Sequence, residues 1–484
     1  MAAPRSIAAS AAVFAATLGA ASSASAQAPP DAPKTISVGD FTLAPTLQVR
    51  TRAEYRHDPV DMGGLDAAGQ PSPRARDPWV IFERTRIGLG AEHGAIGAQV
   101  TLQDARAWGT TPTSVLDTPA ASFGPYEAYF DAHTQAGGGA RQSFVRVGRQ
   151  AVSWGEGRLI GVSDWSPTGR ALDAIRAHVA RGHFDFEILG VLLDAPRPFG
   201  PGLGESSSSQ VTSGNELYGA TAAWTIDPLL KIELFGIAEI ARNGGGASPL
   251  ETARNSGETY VASLRASGDN RGLKYGAEGA YEFGRAAALN DATRSAYAFA
   301  AHVGKTFDRI TLTPTLTVGG SYASGDSAAS GVSGATRTTY KQFDPLLPDL
   351  HSHFGAMDIF SWSNVVEENA RFSLVPVRST SIDLEYRYAR LATAAGEWLN
   401  GYLQPIGRSD GKSGAELGHE FDLGFGYRPW TPFEIRAGYS MLLLGDGARE
   451  IMAAEARGSL QANGSYASSS TSHFAYLQAT LNVP

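Results

Sequence analysis

Arginines recur in this chain at every second position, a spacing that puts their side chains on one face of an extended strand. Arg50, Arg52 and Arg56 share one such face, and Arg84 and Arg86 share another. Arg146 alternates with Val145 and Val147, and Arg176 with His178 opposes Ile175, Ala177 and Val179. A guanidinium is permanently charged, and its planar fork matches a carboxylate. Ladders of this kind suit a carboxylated sugar or an organic acid. Glu83 and Arg149 fall on the opposite parity. A bulge at Gly148 would turn Arg149 inward, and Glu83 is expected above the apolar part of its strand. Acids share the polar faces as well: Glu54, Glu127, Asp131, Asp383, Glu385, Glu420, Asp422 and Glu434. A network of arginines and acids that only holds the strands in shape fits the same pattern. Basic residues predominate over the first six strands and acids over the last four, so a preference for anions is expected of the former.

The stretch 151–170 carries Trp154, Glu156, Arg158, Asp164, Trp165 and Arg170, aromatic faces interleaved with charges. Two readings fit it: a constriction folded into a lumen, in which Arg158, Asp164 and Trp165 meet solute, or a cap over the mouth. His351, His353 and Asp358 invite a metal reading, yet two histidines so spaced in a loop read as solvent-exposed, and neither metal nor cofactor is expected. The sequence has no H-E-x-x-H and no phosphate loop, and its one G-x-S-x-G match (Gly407 to Gly411) falls in a long connecting segment, so no catalytic residues are assigned and no enzyme is expected. The absence of cysteine excludes disulfides, thiolate metal sites and thiol nucleophiles.

Strands must position these residues. Phe41, Leu43, Pro45, Leu47, Val49, Ala53 and Tyr55 alternate with Thr42, Thr46, Gln48, Arg50, Arg52, Glu54 and Arg56. The period of two recurs around 272–284, 309–324, 415–428 and 432–445, and helical spacing would scatter it. About eighteen strands are expected, from 41–56 to 472–483, with 309–324 and 358–375 among them. Short turns (Glu92-His93-Gly94, Asp269-Asn270-Arg271, Thr306-Phe307-Asp308, Pro429-Trp430-Thr431) alternate with long segments such as 57–78, 151–170, 325–357 and 446–471. This asymmetry implies an all-β fold: a transmembrane antiparallel barrel with short periplasmic turns and long extracellular loops.

Composition agrees. Mean hydropathy is −0.16 and aromatics make up 10%, as alternating strands with a polar lumen allow. No apolar run long enough for a membrane helix follows the N-terminus. Residues 1–26 resemble a cleavable signal, with Arg5, an apolar stretch and Ala24-Ser25-Ala26 before Gln27. Residues 27–40 form an N-terminal periplasmic segment and 41–484 the barrel. Removing Arg5 leaves 39 basic against 48 acidic residues, a net charge of −9, and no nucleic-acid partner is expected. The expected partners are outer-membrane lipid, an anionic saccharide or small anionic solute, and the barrel-assembly machinery during biogenesis. A monomer is expected.

Two segments carry a family resemblance. FVRVGRQAVSWGEGRLIGVSDWSPTGRALDAIR (Phe144 to Arg176) and FDPLLPDLHSHFGAMDIFSWSNV (Phe343 to Val365) resemble the alginate export family of outer-membrane porins. The resemblance implies a passive pore for an anionic polysaccharide or oligosaccharide through an arginine-lined lumen. The alternative is a porin for uptake of small organic anions or other nutrients. A structural barrel with a blocked lumen is a third reading.

Overall fold

The computed structural model describes residues 35–60, 77–109, 121–134, 143–193, 215–227, 229–241, 257–286, 292–327, 338–349, 351–408, 414–459 and 470–483. The expected signal, and all of the N-terminal segment before residue 35, lie outside the described residues. Eighteen long antiparallel strands form one closed sheet. They are β1 (Phe41–His57), β2 (Trp79–His93), β3 (Ile96–Gly109), β4 (Ala121–His133), β5 (Phe144–Gln150) and β6 (Leu172–Arg181). Then follow β7 (Phe184–Leu192), β8 (Asn215–Asp227), β9 (Leu230–Ala241), β10 (Gly257–Asn270), β11 (Leu273–Ala286) and β12 (Ala292–Thr306). The circuit ends with β13 (Thr315–Ala323), β14 (Val365–Leu374), β15 (Thr380–Arg390), β16 (Glu416–Trp430), β17 (Phe433–Leu444) and β18 (Thr471–Val483).

Each strand pairs with its sequence neighbours, and β1 pairs with β18 from Leu47↔Val483 to His57↔His473. Closure satisfies the backbone of every wall strand without leaving an edge, the condition for crossing hydrocarbon as β-structure. A three-residue strand, Ile36–Val38, folds back on the start of β1.

Alternation assigns the two faces. On β2 and β3, Ile87, Leu89, Val100 and Leu102 are exposed, whereas Arg84, Arg86, Gln99, Thr101 and Gln103 are buried. The first set faces lipid and the second the interior. Glu83 pairs in register with Arg106, beyond the Ile87–Leu102 row, at the long-loop end of the wall.

Two departures from the expected strands and one from an expected loop have physical causes. Residues 309–314, expected to open a strand, instead form a turn, with Leu312 at φ 73° and Thr313 at φ 45° and the Ile310 amide bonded to the Phe307 carbonyl. Ile310 and Leu312 therefore lie outside the wall. Residues 358–364, expected in a strand, run inside the barrel. The segment after β17 begins with an α-helix, α1 (Asp446–Ser459), where Asp446 sits in the first turn and Ala448, Ile451 and Met452 are buried.

The interior near the long loops is packed with side chains. Inward wall residues there are apolar (Leu189, Val191, Phe235, Ile237, Val261, Leu442) and join Phe343, Phe354, Phe360, Trp362 and Trp398 in one buried cluster. Each of those five aromatics buries roughly 150–250 Å², an upper estimate of about 4–6 kcal/mol gross apiece. Three successive inward residues of β12, Ala296, Ala298 and Ala300, are small, and Trp362 lies close enough to donate its indole N–H to the Phe299 carbonyl at 3.4 Å.

Candidate functional site

The two segments singled out in the sequence meet inside the barrel. Ile160 forms a parallel bridge with Leu347. The amides of Leu347 and Asp349 donate to the carbonyls of Leu159 and Gly157, and the Gly161 amide returns a bond to Leu347. Gly161 permits this approach, because a Cβ there would stand 2.7 Å from the Asp349 Cβ and 2.8 Å from its amide nitrogen. Arg170 fastens the junction by donating to the carbonyls of Gly161, Leu347 and Pro348.

The 151–171 segment spans the barrel. At one end Trp154 donates to Glu187 of β7 at 2.7 Å and stacks on Phe235 of β9, while Glu156 pairs with Arg265 of β10 at 2.7 Å. At the other, Asp164, Trp165 and Ser166 rest against β1 and β2. Because β10 stands nine places from β1 in a ring of eighteen, these attachments lie on opposite walls.

Four of the expected arginines converge on that second attachment. Arg50 and Arg84 are direct register partners, an opposition of like charges that costs energy on a sheet. Asp164 offsets it, pairing with Arg84 at 2.9 Å, Arg86 at 3.1 Å and Arg50 at 3.8 Å. Burial opposes ionisation of Asp164, but Arg84, Arg86 and Arg50 outweigh it and hold the carboxyl well below the usual carboxylate range. The loop backbone contributes acceptors: Arg50 donates to the carbonyls of Asp164 and Ser166 at 2.6 and 2.9 Å, Arg52 to Trp165 at 2.8 Å, and Arg86 to Thr168 at 3.0 Å. Arg52 also pairs with Glu54 at 2.6 Å. Its guanidinium lies 3.7 Å from the Trp165 ring centroid, and His351 stacks on Trp165 at 3.8 Å while donating to Asp358 at 2.7 Å.

Arg146 and Arg176 form a separate wall network. They also oppose each other in register, and each turns to an acid on its outer neighbour. Arg146 reaches Asp131 at 2.8 Å, and Arg176 takes Glu187 with two bonds of 3.0 and 2.8 Å. Arg158 lies away from the ladder, 3.6 Å from Glu156 and 5.6 Å from the Trp362 ring. Arg265 and Arg158 overcome the effect of burial and hold Glu156 down to about 2. His353, donating to the Glu156 carbonyl at 2.8 Å, is held down to about 3 by burial and by Arg158.

Arg149 is a correction. Gly148 does adopt φ 125°, but the register continues unbroken from Phe130↔Val147 to Ala128↔Arg149. Arg149 stays on the outer face, paired with Asp173 at 2.8 Å, and does not line the interior. The irregularity lies one strand away, where the register shifts between Thr101 and Leu102. There Tyr126, beside Pro125, is buried with its ring 3.4 Å from the Arg86 guanidinium. Proline's preference for bulges was the available signal. Sequence reasoning also missed Gln48 and Gln103, which accept from Arg84 and Arg86 at 2.6 and 2.7 Å.

A family model described as Alginate export matches residues 42–458. No curated protein registers as a relative. Among solved structures, OccD3 (OpdP) of Pseudomonas aeruginosa is 11% identical at TM-score 0.53, covering 91% of this chain and 92% of its own. OccK9 (OpdG) of the same organism is 10% identical at TM-score 0.53, covering 91% and 98%. At such identities the likeness speaks for the fold, an outer-membrane porin barrel. With a closed eighteen-strand barrel and a family match over most of its length, the chain belongs to the alginate export family and is an outer-membrane pore.

Proposed function

We propose that this pore passes an anionic polysaccharide or oligosaccharide, driven by the solute's own gradient, and that the 151–171 segment sets its constriction. The observation that carries the reading is the gathering of Arg50, Arg52, Arg84 and Arg86 around Asp164 and Trp165, which brings guanidinium groups and an aromatic residue together on the loop that crosses the interior. An aromatic face suits the apolar side of a sugar ring, and guanidinium groups suit a carboxylate on that ring. In this reading Arg50, Arg52, Arg84, Arg86 and Asp164 hold the constriction, Arg146 and Arg176 stiffen the adjoining wall, and Arg158 stiffens the far end of the loop. One chain suffices for one pore, because its own β1 and β18 close the ring; in this reading the pore works as a monomer and its strands are inserted by the cell's barrel-assembly machinery.

The test is single-channel conductance of the refolded protein in a planar bilayer under a salt gradient, followed by added polyuronate. Anion-selective current that the polymer blocks supports the reading, and steady current indifferent to it refutes the polymer. One observation favours small organic anions instead: the packed aromatic cluster around Trp362 and Trp398 occupies interior space that a polymer needs. Uptake of uronate monomers into liposomes, with exclusion of longer oligomers, would decide for that alternative.

A further inference from the structure

The arginines of β1 and β2 are heavily engaged: the side chains of Arg52 and Arg84 are 0% and 1% exposed. Two partly exposed guanidiniums lie elsewhere on the wall, on strands expected to be acidic. Arg428 and Arg436 are on the inward parity of β16 and β17, toward the short-turn end, which faces the periplasm in outer-membrane barrels. Their side chains are 32% and 35% exposed. They share one carboxylate, Glu434, at 3.3 and 3.1 Å, so the trio carries a net positive charge and its forks are only partly used.

The wall beside them leaves room. Gly424, Gly426 and Gly438 occupy neighbouring inward positions, and a Cβ at Gly438 would stand 2.2 Å from Tyr476 Cε1. Glycine thus lets the Tyr476 ring lie across β17. That ring in turn meets Trp165 edge-on at 5.0 Å. From the periplasmic mouth inward, the order is a guanidinium pair, an aromatic ring, then the constriction tryptophan. Asp383, on the adjacent strand β15 opposite Gly424, is already engaged, accepting from Ser373 at 2.5 Å.

We infer that Arg428 and Arg436, with Tyr476 above them, form an entry subsite for a carboxylated sugar unit on the periplasmic side of the constriction. The guanidinium forks take the carboxylate and the tyrosine ring takes the sugar face, one step before Trp165. This rests on the anion-pore reading above, and the experiment separates failure of one from failure of the other.

Oligouronate is added to one side of a bilayer holding single pores. Orientation is read by labelling a Ser37→Cys background, whose thiol is the only one in the chain. For the Arg428→Gln/Arg436→Gln pair, the association rate of block from the short-turn side should fall about tenfold at about 0.1 M salt. At about 1 M salt the fall should shrink to less than about twofold. Block from the long-loop side should keep its rate, and Glu434→Gln should raise the short-turn rate. If the double variant yields no pores, each single replacement should lower the rate about threefold. A blocked wild type with an unaltered double variant, or an equal fall from both sides, overturns the subsite alone. A wild type that oligouronate never blocks overturns the anion-pore reading and the subsite together.

Discussion

Asp164→Asn keeps the size and shape of the side chain while removing the one carboxylate that three arginines share. Arg84 and Arg86 lie at 2.9 and 3.1 Å from it and Arg50 at 3.8 Å, and Arg50 faces Arg84 directly across the strand pair. Removing one partner of a buried ion pair costs about 3–5 kcal/mol. Asp164 is 33% exposed, and the backbone acceptors of residues 164–166 and 168 remain, so about 2 kcal/mol is the appropriate figure for this site. A bias of about 2 kcal/mol raises the population of loop-released pores roughly thirtyfold. Single-channel records of the variant should show frequent flicker between two conductance levels. Its reversal potential should move toward the anion, because the interior gains one positive charge. The pH sign follows from a depressed carboxyl: its stabilisation is fully present above the unfolded value of about 3.9 and is lost as pH falls through the lower folded value. The wild-type pore should therefore hold this contact from neutrality down to about pH 4. A variant with wild-type noise and wild-type reversal potential would refute the account of Asp164 as the loop's electrostatic anchor.

Two further outcomes follow from placement. His353, held down to about 3 by burial, favours the packed loop fully above its unfolded value of about 6.5 and less as pH falls below that. At about pH 5 this weakens the inner packing by about 1–2 kcal/mol, visible as acid-induced gating that His353→Gln abolishes, and gating unchanged in that variant would exclude the histidine. Leu423→Arg, on the lipid face, should impair assembly by about 2–4 kcal/mol if the position lies near the bilayer midplane. Leu312→Arg, in the turn after β12, should assemble normally, as judged by heat-modifiable migration on gels, and equal failure of both would count against the assigned faces.

Alternation in residues 41–56, 272–284 and 432–445 was enough to identify the wall strands and their two faces, because a barrel strand must offer apolar atoms to lipid at every second residue. The rhythm of short turns and long segments was equally local, and it ordered the strands around the ring. The inward parity of Arg50, Arg52, Arg84, Arg86, Arg146 and Arg176 was legible for the same reason. Their partners were not. Whether Arg84 faces open water or Asp164 depends on where a loop eighty residues away comes to rest, and no spacing encodes that. The loop's path is set by tertiary contacts: a Gly161 approach to Asp349, a latch at Arg170, and a buried aromatic cluster that made the interior near the long loops apolar where alternation alone implied a polar one. Arg149 shows the opposite limit, since Gly148 suggested a bulge in the sequence, whereas the strand pairing runs through it without a shift. Period two follows from the geometry of one strand, whereas the filling of the lumen follows from which distant segments bury the most surface together.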